Sequence, residues 1–281
     1  MGKLYVVGTP IGNLSDLSPR AIDVLGRVDF IAAEDTRVTL KLLNKFGIKT
    51  PLESYHEHNK SIRGGEILQK IISGNDCALV TDAGMPAISD PGEDLVRLCR
   101  ESGVEVESVP GPTAFATAMA ISGMPSCRFT FEGFLSVNKK SRFEHLNSIK
   151  NERRTMIFYE APHKLKATLA DLYNALGDRE IALCRELTKV HEEVIRTTLS
   201  GAIKKYETDK PQGEFVLIIG GAKDESQPKS YTAEDALAAA KSYMAQGMSA
   251  SNAAKAAALD TGLKKGDIYK MLINSEDSQK I

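Results

Sequence analysis

Tryptophan is absent from the 281-residue chain, and aromatic side chains make up only 6% of it. Cysteine is scarce too. The four residues Cys77, Cys99, Cys127 and Cys184 lie far apart in apolar stretches, with no C-x-x-C pair and no histidine at zinc spacing. A disulfide scaffold and a zinc module are thereby excluded, no metal site is expected, and the thiols are predicted to be buried and reduced. Charge of one sign is also lacking: 36 Lys and Arg against 37 Asp and Glu leave a net charge of −1, without the basic excess of a protein that coats nucleic acid indiscriminately. Apolar runs such as Phe215 to Ile219 are strand-length, far short of the roughly 20 residues a membrane helix needs. A soluble, cytoplasmic protein is expected. There is no internal repeat or low-complexity tract, and a chain of about 300 residues buries roughly three quarters of its unfolded surface unaided.

What is present is a regular alternation. Leu4 to Gly8, Asp29 to Ala33, Cys77 to Thr81 and Val104 to Val109 read as short β-branched strands, separated by helical patterns at Pro19 to Arg27, Val38 to Phe46, Ile62 to Ser73 and Glu93 to Ser102. Ser18-Pro19 supplies an N-cap and a first-turn proline, and Gly47, Gly74 and Gly103 supply stops. Strand and helix in turn predict a parallel sheet covered on both faces over residues 1–122. Residues 123–221 read as a second α/β domain with a mixed sheet: strands at Phe129 to Phe134, Thr155 to Tyr159, Glu180 to Arg185, Glu193 to Thr197 and Glu214 to Gly220, and helices at Arg142 to Ile149 and Leu165 to Leu176. Gly221 to Tyr231 has linker composition. Residues 232–281 form a helical tail of helix-turn-helix type, with helices at Ala233 to Gln246, Ser251 to Leu259 and Asp267 to Ile273.

In a parallel sheet, ligands bind beyond the carboxyl ends of the strands. Here those ends carry Thr9-Pro10-Ile11-Gly12-Asn13, Glu34-Asp35-Thr36-Arg37, Asp82-Ala83-Gly84-Met85-Pro86 and Pro110-Gly111-Pro112-Thr113-Ala114. The first turn has two glycines and a proline that removes an N–H, so it is no dinucleotide fingerprint; P-loop and G-x-S-x-G motifs are missing as well. Loops that offer carbonyls and carboxylates suit a ligand with positive charge or hydroxyls, such as a sulfonium cofactor with a ribose and an amino-acid tail. Asp90, just before Pro91, also fits a helix cap. Asp82, with no helix directly after it, fits a cap less well.

Taken in order, Leu4 to Leu14, Ala33-Glu34-Asp35-Thr36-Arg37, Thr81 to Pro86, Asp90-Pro91-Gly92, Pro110-Gly111-Pro112, Phe158 to His163, Arg185-Glu186-Leu187-Thr188-Lys189 and Gly213-Glu214-Phe215 closely resemble the bacterial ribosomal small subunit methyltransferase I family. That family is the 16S rRNA cytidine 2′-O-methyltransferase branch of the tetrapyrrole methylase superfamily. The resemblance implies two α/β domains of tetrapyrrole-methylase type with S-adenosylmethionine in the cleft between them, a homodimer, and an acceptor ribose in 16S rRNA or the 30S subunit. It places Pro10, Thr81, Asp82, Ala83, Gly84, Met85, Ile88, Thr113 and Ala114 at the cofactor from the first domain. Tyr159, Glu160, Ala161, Phe215 and Val216 would meet it from the second, although Phe215 and Val216 also read as core strand residues. The usual G-x-G-P-G-D opening of the superfamily is Gly8-Thr9-Pro10-Ile11-Gly12-Asn13 here, which keeps the proline and loses the acid.

A ribose hydroxyl is a very weak acid, so a base or a charge that stabilises the alkoxide is expected. Glu34 and Asp35 are the leading base candidates, and Lys189 is the candidate cation. A capped helix start with an Asp35–Arg37 ion pair is the other reading of that stretch, and a solvated lysine the other reading of Lys189. Arg37, His56, Asn59, Lys139, Lys140, Arg142 and Arg185 are the candidate RNA contacts. Two rival functions remain at this point: a corrinoid or porphyrin C-methyltransferase on the same architecture, and a non-enzymatic nucleic-acid regulator built on the tail. Charge is unevenly spread. Residues 1–122 hold 12 basic and 16 acidic groups, residues 123–225 hold 17 and 15, and residues 226–281 hold 7 and 6. Arg128 to Arg154 alone hold seven basic to three acidic, so any RNA binding is expected to be local to that strip.

Overall fold

The computed structural model describes residues 1–223 and 231–277. Five strands, β1 (Lys3–Val7), β2 (Phe30–Ala33), β3 (Leu52–Ser54), β4 (Cys77–Val80) and β5 (Glu105–Val109), form an all-parallel sheet in the order β3-β2-β4-β1-β5. The period of two divides their apolar residues between two faces. Tyr5, Val7, Ile31, Ala33, Ala78 and Val80 pack against α1 (Pro19–Arg27) and α2 (Thr36–Lys45). Leu4, Phe30, Ala32, Cys77 and Leu79 pack against α3 (Lys60–Ile72) and α4 (Gly92–Glu101). Helix α1 starts as its sequence predicts: Ser18 Oγ accepts the Ala21 N–H at 3.0 Å and Pro19 occupies the first turn. Strand β3 escaped the sequence reading because it is a three-residue edge strand with one apolar side chain and no alternation to detect.

The second sheet runs β6-β7-β10-β8-β9, from β6 (Phe129–Phe134), β7 (Thr155–Glu160), β8 (Glu180–Arg185), β9 (Glu193–Thr198) and β10 (Phe215–Ile219). Only β6 and β7 are parallel, so the sheet is mixed, as expected. One face packs on α6 (Lys139–Ser148), α7 (Leu165–Leu176) and α8 (Leu199–Thr208), through Leu146, Leu169, Leu172 and Tyr206 among others. The other face is covered by α5 (Ala114–Ser122), whose Ala118 and Met119 meet Ile157, Ala182 and Ile218, and Ile11 from the first turn joins the same cluster. Helix α5 has almost no polar face, which is why helical periodicity did not mark it.

Because α5 and Ile11 cross over to the second sheet, both α/β halves form one compact unit, Met1–Ala222. Within it, residue 122 marks a change of sheet. A second unit, Lys223–Ile281, holds α9 (Ala233–Ala245), α10 (Ala250–Thr261) and α11 (Lys265–Asp277), packed through Ala236, Ala240, Ala254, Ala257, Ile268 and Leu272. Thr232 and Asp235 close a reciprocal capping box on α9. Of the expected linker, residues 224–230 lie outside the described residues. Cys77, Cys99 and Cys184 are buried and free as predicted, but Cys127 is exposed, because it sits in the connection between α5 and β6. No helix among the described residues is long and apolar enough to cross a membrane.

Candidate active site

The carboxyl-end loops of the first sheet are laced together. Thr9 and Gly84 exchange both backbone hydrogen bonds, at 2.9 and 3.1 Å, and Gly8 and Gly111 lie so close that a Cβ on Gly111 would stand 2.8 Å from the Gly8 Cα. Glycine is required there by backbone approach. These loops form one wall of a cavity of about 490 Å³, within the usual size range of small-molecule sites. That wall comprises Ile11, Glu34, Thr81, Asp82, Ala83, Gly84, Met85, Ile88, Ser89, Asp90, Thr113 and Ala114. The second sheet supplies Phe134, Tyr159, Glu160, Ala161, Pro162, Leu187, Glu214, Phe215 and Val216.

The cavity therefore brings together every expected cofactor residue except Pro10, which stands in the turn beside the Thr9–Gly84 bridge. Phe215 and Val216 are core strand residues and cavity residues at once. Ile11, Ser89, Asp90, Phe134, Pro162, Leu187 and Glu214 line the cavity in addition to the residues expected from the sequence. Ile11, Asp90, Pro162, Leu187 and Glu214 lie inside the motifs that carry the family resemblance. Phe134 had only its place at the carboxyl end of a strand to mark it.

Five acidic residues, Glu34, Asp82, Asp90, Glu160 and Glu214, belong to the cavity wall, and no Lys, Arg or His does so among the described lining residues. Burial first, and then the neighbouring Glu34 carboxylate, raise the Asp82 pKa above its ordinary value. Burial likewise raises that of Asp90, whose carboxylate accepts the N–H groups of Ala87, Ile88 and Gly92. This acid is both a loop cap and part of the wall. Ala87 and Ser89, on either side of Ile88, hold left-handed φ values of +67°, a strained backbone of the kind that clusters at functional sites.

Glu34 Oε2 accepts the Thr81 hydroxyl at 2.5 Å and faces the cavity. Its neighbour Asp35 does not line it. The Asp35 N–H donates to Asp82 Oδ1 at 3.0 Å, while its carboxylate caps α2 through the Arg37 N–H and forks onto the Arg37 guanidinium at 3.0 and 2.7 Å. Those bonds hold the Asp35 carboxyl down at about 2. A carboxylate so stabilised is a poor proton acceptor, and the capped ion pair is what this stretch builds.

Lys189 stands beside the cavity edge without lining it. Its ammonium lies 3.0 Å from Glu186 and 3.1 Å from Glu214. Burial pulls its pKa down, but the two carboxylates more than offset this and leave it raised. Glu186 and Thr188 adopt φ of +53° and +66°, which brings the loop against Gly12. There a Cβ would stand 2.6 Å from Lys189 Cγ and 2.9 Å from the Leu187 carbonyl oxygen, so the first turn touches this loop without a side chain.

The proposed RNA contacts divide. Lys139 and Lys140 are exposed at the start of α6, and Arg37 is exposed. Arg142 is different. Its side chain is 11% exposed and turned inward, with Nε 2.7 Å from Asp171 and Nη2 donating to Thr168 Oγ1 at 2.9 Å. The Thr168 hydroxyl in turn donates to the buried carboxylate of Glu160, so Arg142 connects to the cavity and not to solvent. Arg185 faces Glu193 at 3.4 Å. The Asn59 side chain holds its own loop, accepting the His56 N–H at 2.9 Å and donating to the Ser54 carbonyl at 3.2 Å.

The family model for tetrapyrrole (corrin/porphyrin) methylases matches residues 3–203. Over 277 residues, 98% of this chain and 99% of the other, the chain is 48% identical to a protein of Synechocystis sp. named ribosomal RNA small subunit methyltransferase I. It is 46% identical to the protein of that name from Bacillus subtilis, over 96% of this chain and 94% of the other. Among solved structures it is similar to a cobalt precorrin-4 methyltransferase, with a TM-score of 0.59 and 19% identity over 78% of this chain and 94% of that one.

Proposed function

The chain belongs to the tetrapyrrole methylase family and, within it, to the ribosomal RNA small subunit methyltransferase I proteins. From that premise we propose that it methylates the ribose 2′-hydroxyl of a cytidine in the decoding centre of 16S rRNA, with S-adenosylmethionine as donor. The observation that carries this reading is a cleft of about 490 Å³ whose charged lining residues, among those described, are five acids. Such a donor set fits a cofactor with a sulfonium, an ammonium and ribose hydroxyls, and it would repel a tetrapyrrole with its many carboxylates.

Bound there, the cofactor supplies a methyl group activated by the sulfonium charge. Thr81, Asp82, Ala83, Gly84, Met85, Ile88, Thr113 and Ala114 hold it from the first half, with Pro10 behind them, and Tyr159, Glu160, Ala161, Phe215 and Val216 from the second. The protein's main contribution is alignment, which in well-oriented cases is worth up to roughly 7 to 11 kcal/mol. Glu34 is the better placed of the two base candidates, since it faces the cavity while Asp35 is committed to its cap. Lys189, kept protonated by Glu186 and Glu214, stabilises negative charge on the acceptor oxygen.

RNA meets the protein at Lys139, Lys140 and Arg37, with Arg185, His56 and Asn59 as secondary candidates. On this reading residues 1–122 carry the acidic cofactor wall, residues 123–221 the basic strip, and residues 232–281 an auxiliary docking module. The enzyme works in the cytoplasm as a homodimer. Ribose-methylation mapping of 16S rRNA from a strain lacking the gene tests the reading. One cytidine 2′-O-methyl mark should vanish and return on complementation, whereas an unchanged map removes the proposal.

A further inference from the structure

Strand β6 pairs with β7 in register up to Phe131, skips Glu132, and resumes at Gly133, whose φ is +64°. Such bulges recur beside active sites, where they re-aim a side chain. The side chain re-aimed here is Phe134. It packs on Tyr159 with ring centroids 5.4 Å apart, lines the cavity, and is nevertheless 57% exposed. The ring beneath it is firmly held: Tyr159 Oη accepts the Phe115 N–H at 3.1 Å, and Phe131 lies edge-on to Tyr159 at 5.0 Å. An aromatic row thus ends in one open ring at the cavity.

That ring lies in a particular electrostatic setting. The charged residues among the described lining residues are all acidic, which disfavours the phosphates of an RNA strand inside the cavity and leaves them outside. Lys139 and Lys140, exposed at the start of α6 five and six residues after Phe134, are the first cations that follow it along the chain. A nucleotide gripped there by its phosphate can enter only with its uncharged parts, the base and the ribose. Bases splayed from single-stranded RNA stack on aromatic side chains.

We propose that Phe134 is the platform on which the nucleobase of the acceptor ribonucleotide stacks, so that its ribose faces the cofactor cavity. The inference rests on the reading of the protein as an rRNA methyltransferase and adds to it the contact that recognises the substrate base.

Unmethylated 30S subunits and S-adenosylmethionine are the probes. Phe134→Ala should lower kcat/KM for the subunits about 10- to 100-fold, mostly through KM, as expected for the loss of one base stack. Its dissociation constant for S-adenosylmethionine, measured calorimetrically, should stay within twofold of wild type. Phe134→Tyr should restore activity, while Phe134→Leu, apolar but without a π face, should not. The proposal is overturned if Phe134→Leu matches wild type, or if Phe134→Ala weakens cofactor binding as much as methyl transfer, which would assign the ring to the adenine of the cofactor. Wild-type enzyme that modifies no ribose in 30S subunits would instead defeat the underlying reading. Should the alanine variant fail to fold, the leucine and tyrosine variants decide between the outcomes by themselves.

Discussion

At the scale of single residues, the candidate site is a problem in placing acids. Among the described residues Asp82 has no cationic partner within hydrogen-bonding reach, its carboxyl is raised by burial and by Glu34, and its Oδ1 still accepts the Asp35 N–H. A carboxyl raised in the folded state works against folding. The penalty is absent below its ordinary pKa of 3.8, where both states are protonated, and it is complete above the folded-state value. Asp82→Asn keeps an oxygen for the Asp35 N–H and removes the charge. Because Asp82 is exposed and solvent screens most of this penalty, the variant without ligand should melt at or slightly above the wild-type temperature at pH 7, with any difference gone near pH 3. The same variant should bind S-adenosylmethionine roughly 10- to 100-fold more weakly in calorimetry, the loss of a charged contact. For wild type, cofactor affinity should fall as the pH drops through the raised Asp82 value. Glu34→Gln should lower kcat for methyl transfer about 10²- to 10⁴-fold with cofactor affinity nearly unchanged. Asp35→Ala should instead lower thermal stability, through loss of the α2 cap, and leave a larger share of the activity.

Among elements, short apolar strands and helices with one apolar face were legible in the sequence. Phe129–Phe134, Glu180–Arg185, Pro19–Arg27 and Leu165–Leu176 have the bounds read for them. Elements without a contrasting face were not. Helix α5 is apolar nearly all round because it bridges from the first sheet to the second, and no local signal encodes that crossing. The cavity-lining loops of the first sheet were legible for a related reason: each follows a strand, and Gly, Pro and acid together mark a rim. Side-chain direction was not legible, as Arg142 demonstrates. Its place in a basic run predicts RNA contact, but Asp171 on α7 draws it inward, and Thr168 links it to Glu160. Arg142→Gln should therefore reduce cofactor affinity and destabilise the fold by about 1 to 3 kcal/mol in urea titrations, while 30S binding stays within twofold. A drop in 30S affinity alone would return the residue to the RNA surface. Gly111→Ala tests the lacing of the loops. The added methyl meets Gly8 backbone atoms at 2.8 to 2.9 Å, which cannot rotate away, so a loss of about 1 to 3 kcal/mol is expected together with weaker cofactor binding.

Over the whole molecule, a net charge of −1 conceals a division of labour. The segment that supplies the acidic cavity wall is itself acidic, and the basic excess is concentrated between Arg128 and Arg154. Much of that excess is already engaged: Arg142 pairs with Asp171 and Arg154 with Glu152. Lys139 is exposed, and Lys140 makes only a long contact of 4.0 Å with Glu144, so the effective RNA grip is smaller than the sequence count implies. Each phosphate neutralised on a single strand contributes about 0.7 to the slope of log affinity against log salt. If Lys139 and Lys140 each neutralise one phosphate, replacing both with alanine should flatten that slope by about 1.4 for 30S binding. S-adenosylmethionine affinity should remain unchanged, because these lysines lie outside the cavity lining. Filter binding across a salt series measures both the wild-type slope and the change. An unaltered slope in the double variant would place the electrostatic contact elsewhere, with Arg37 and Arg185 next in line. A slope reduced along with weaker cofactor binding would mean that the strip and the cavity are not independent. The predicted result, a flatter slope with cofactor affinity intact, would mean that a nearly neutral protein handles a polyanion by keeping its few available cations outside an acidic cleft. The strand is then held by its backbone at one place and modified at its ribose in another.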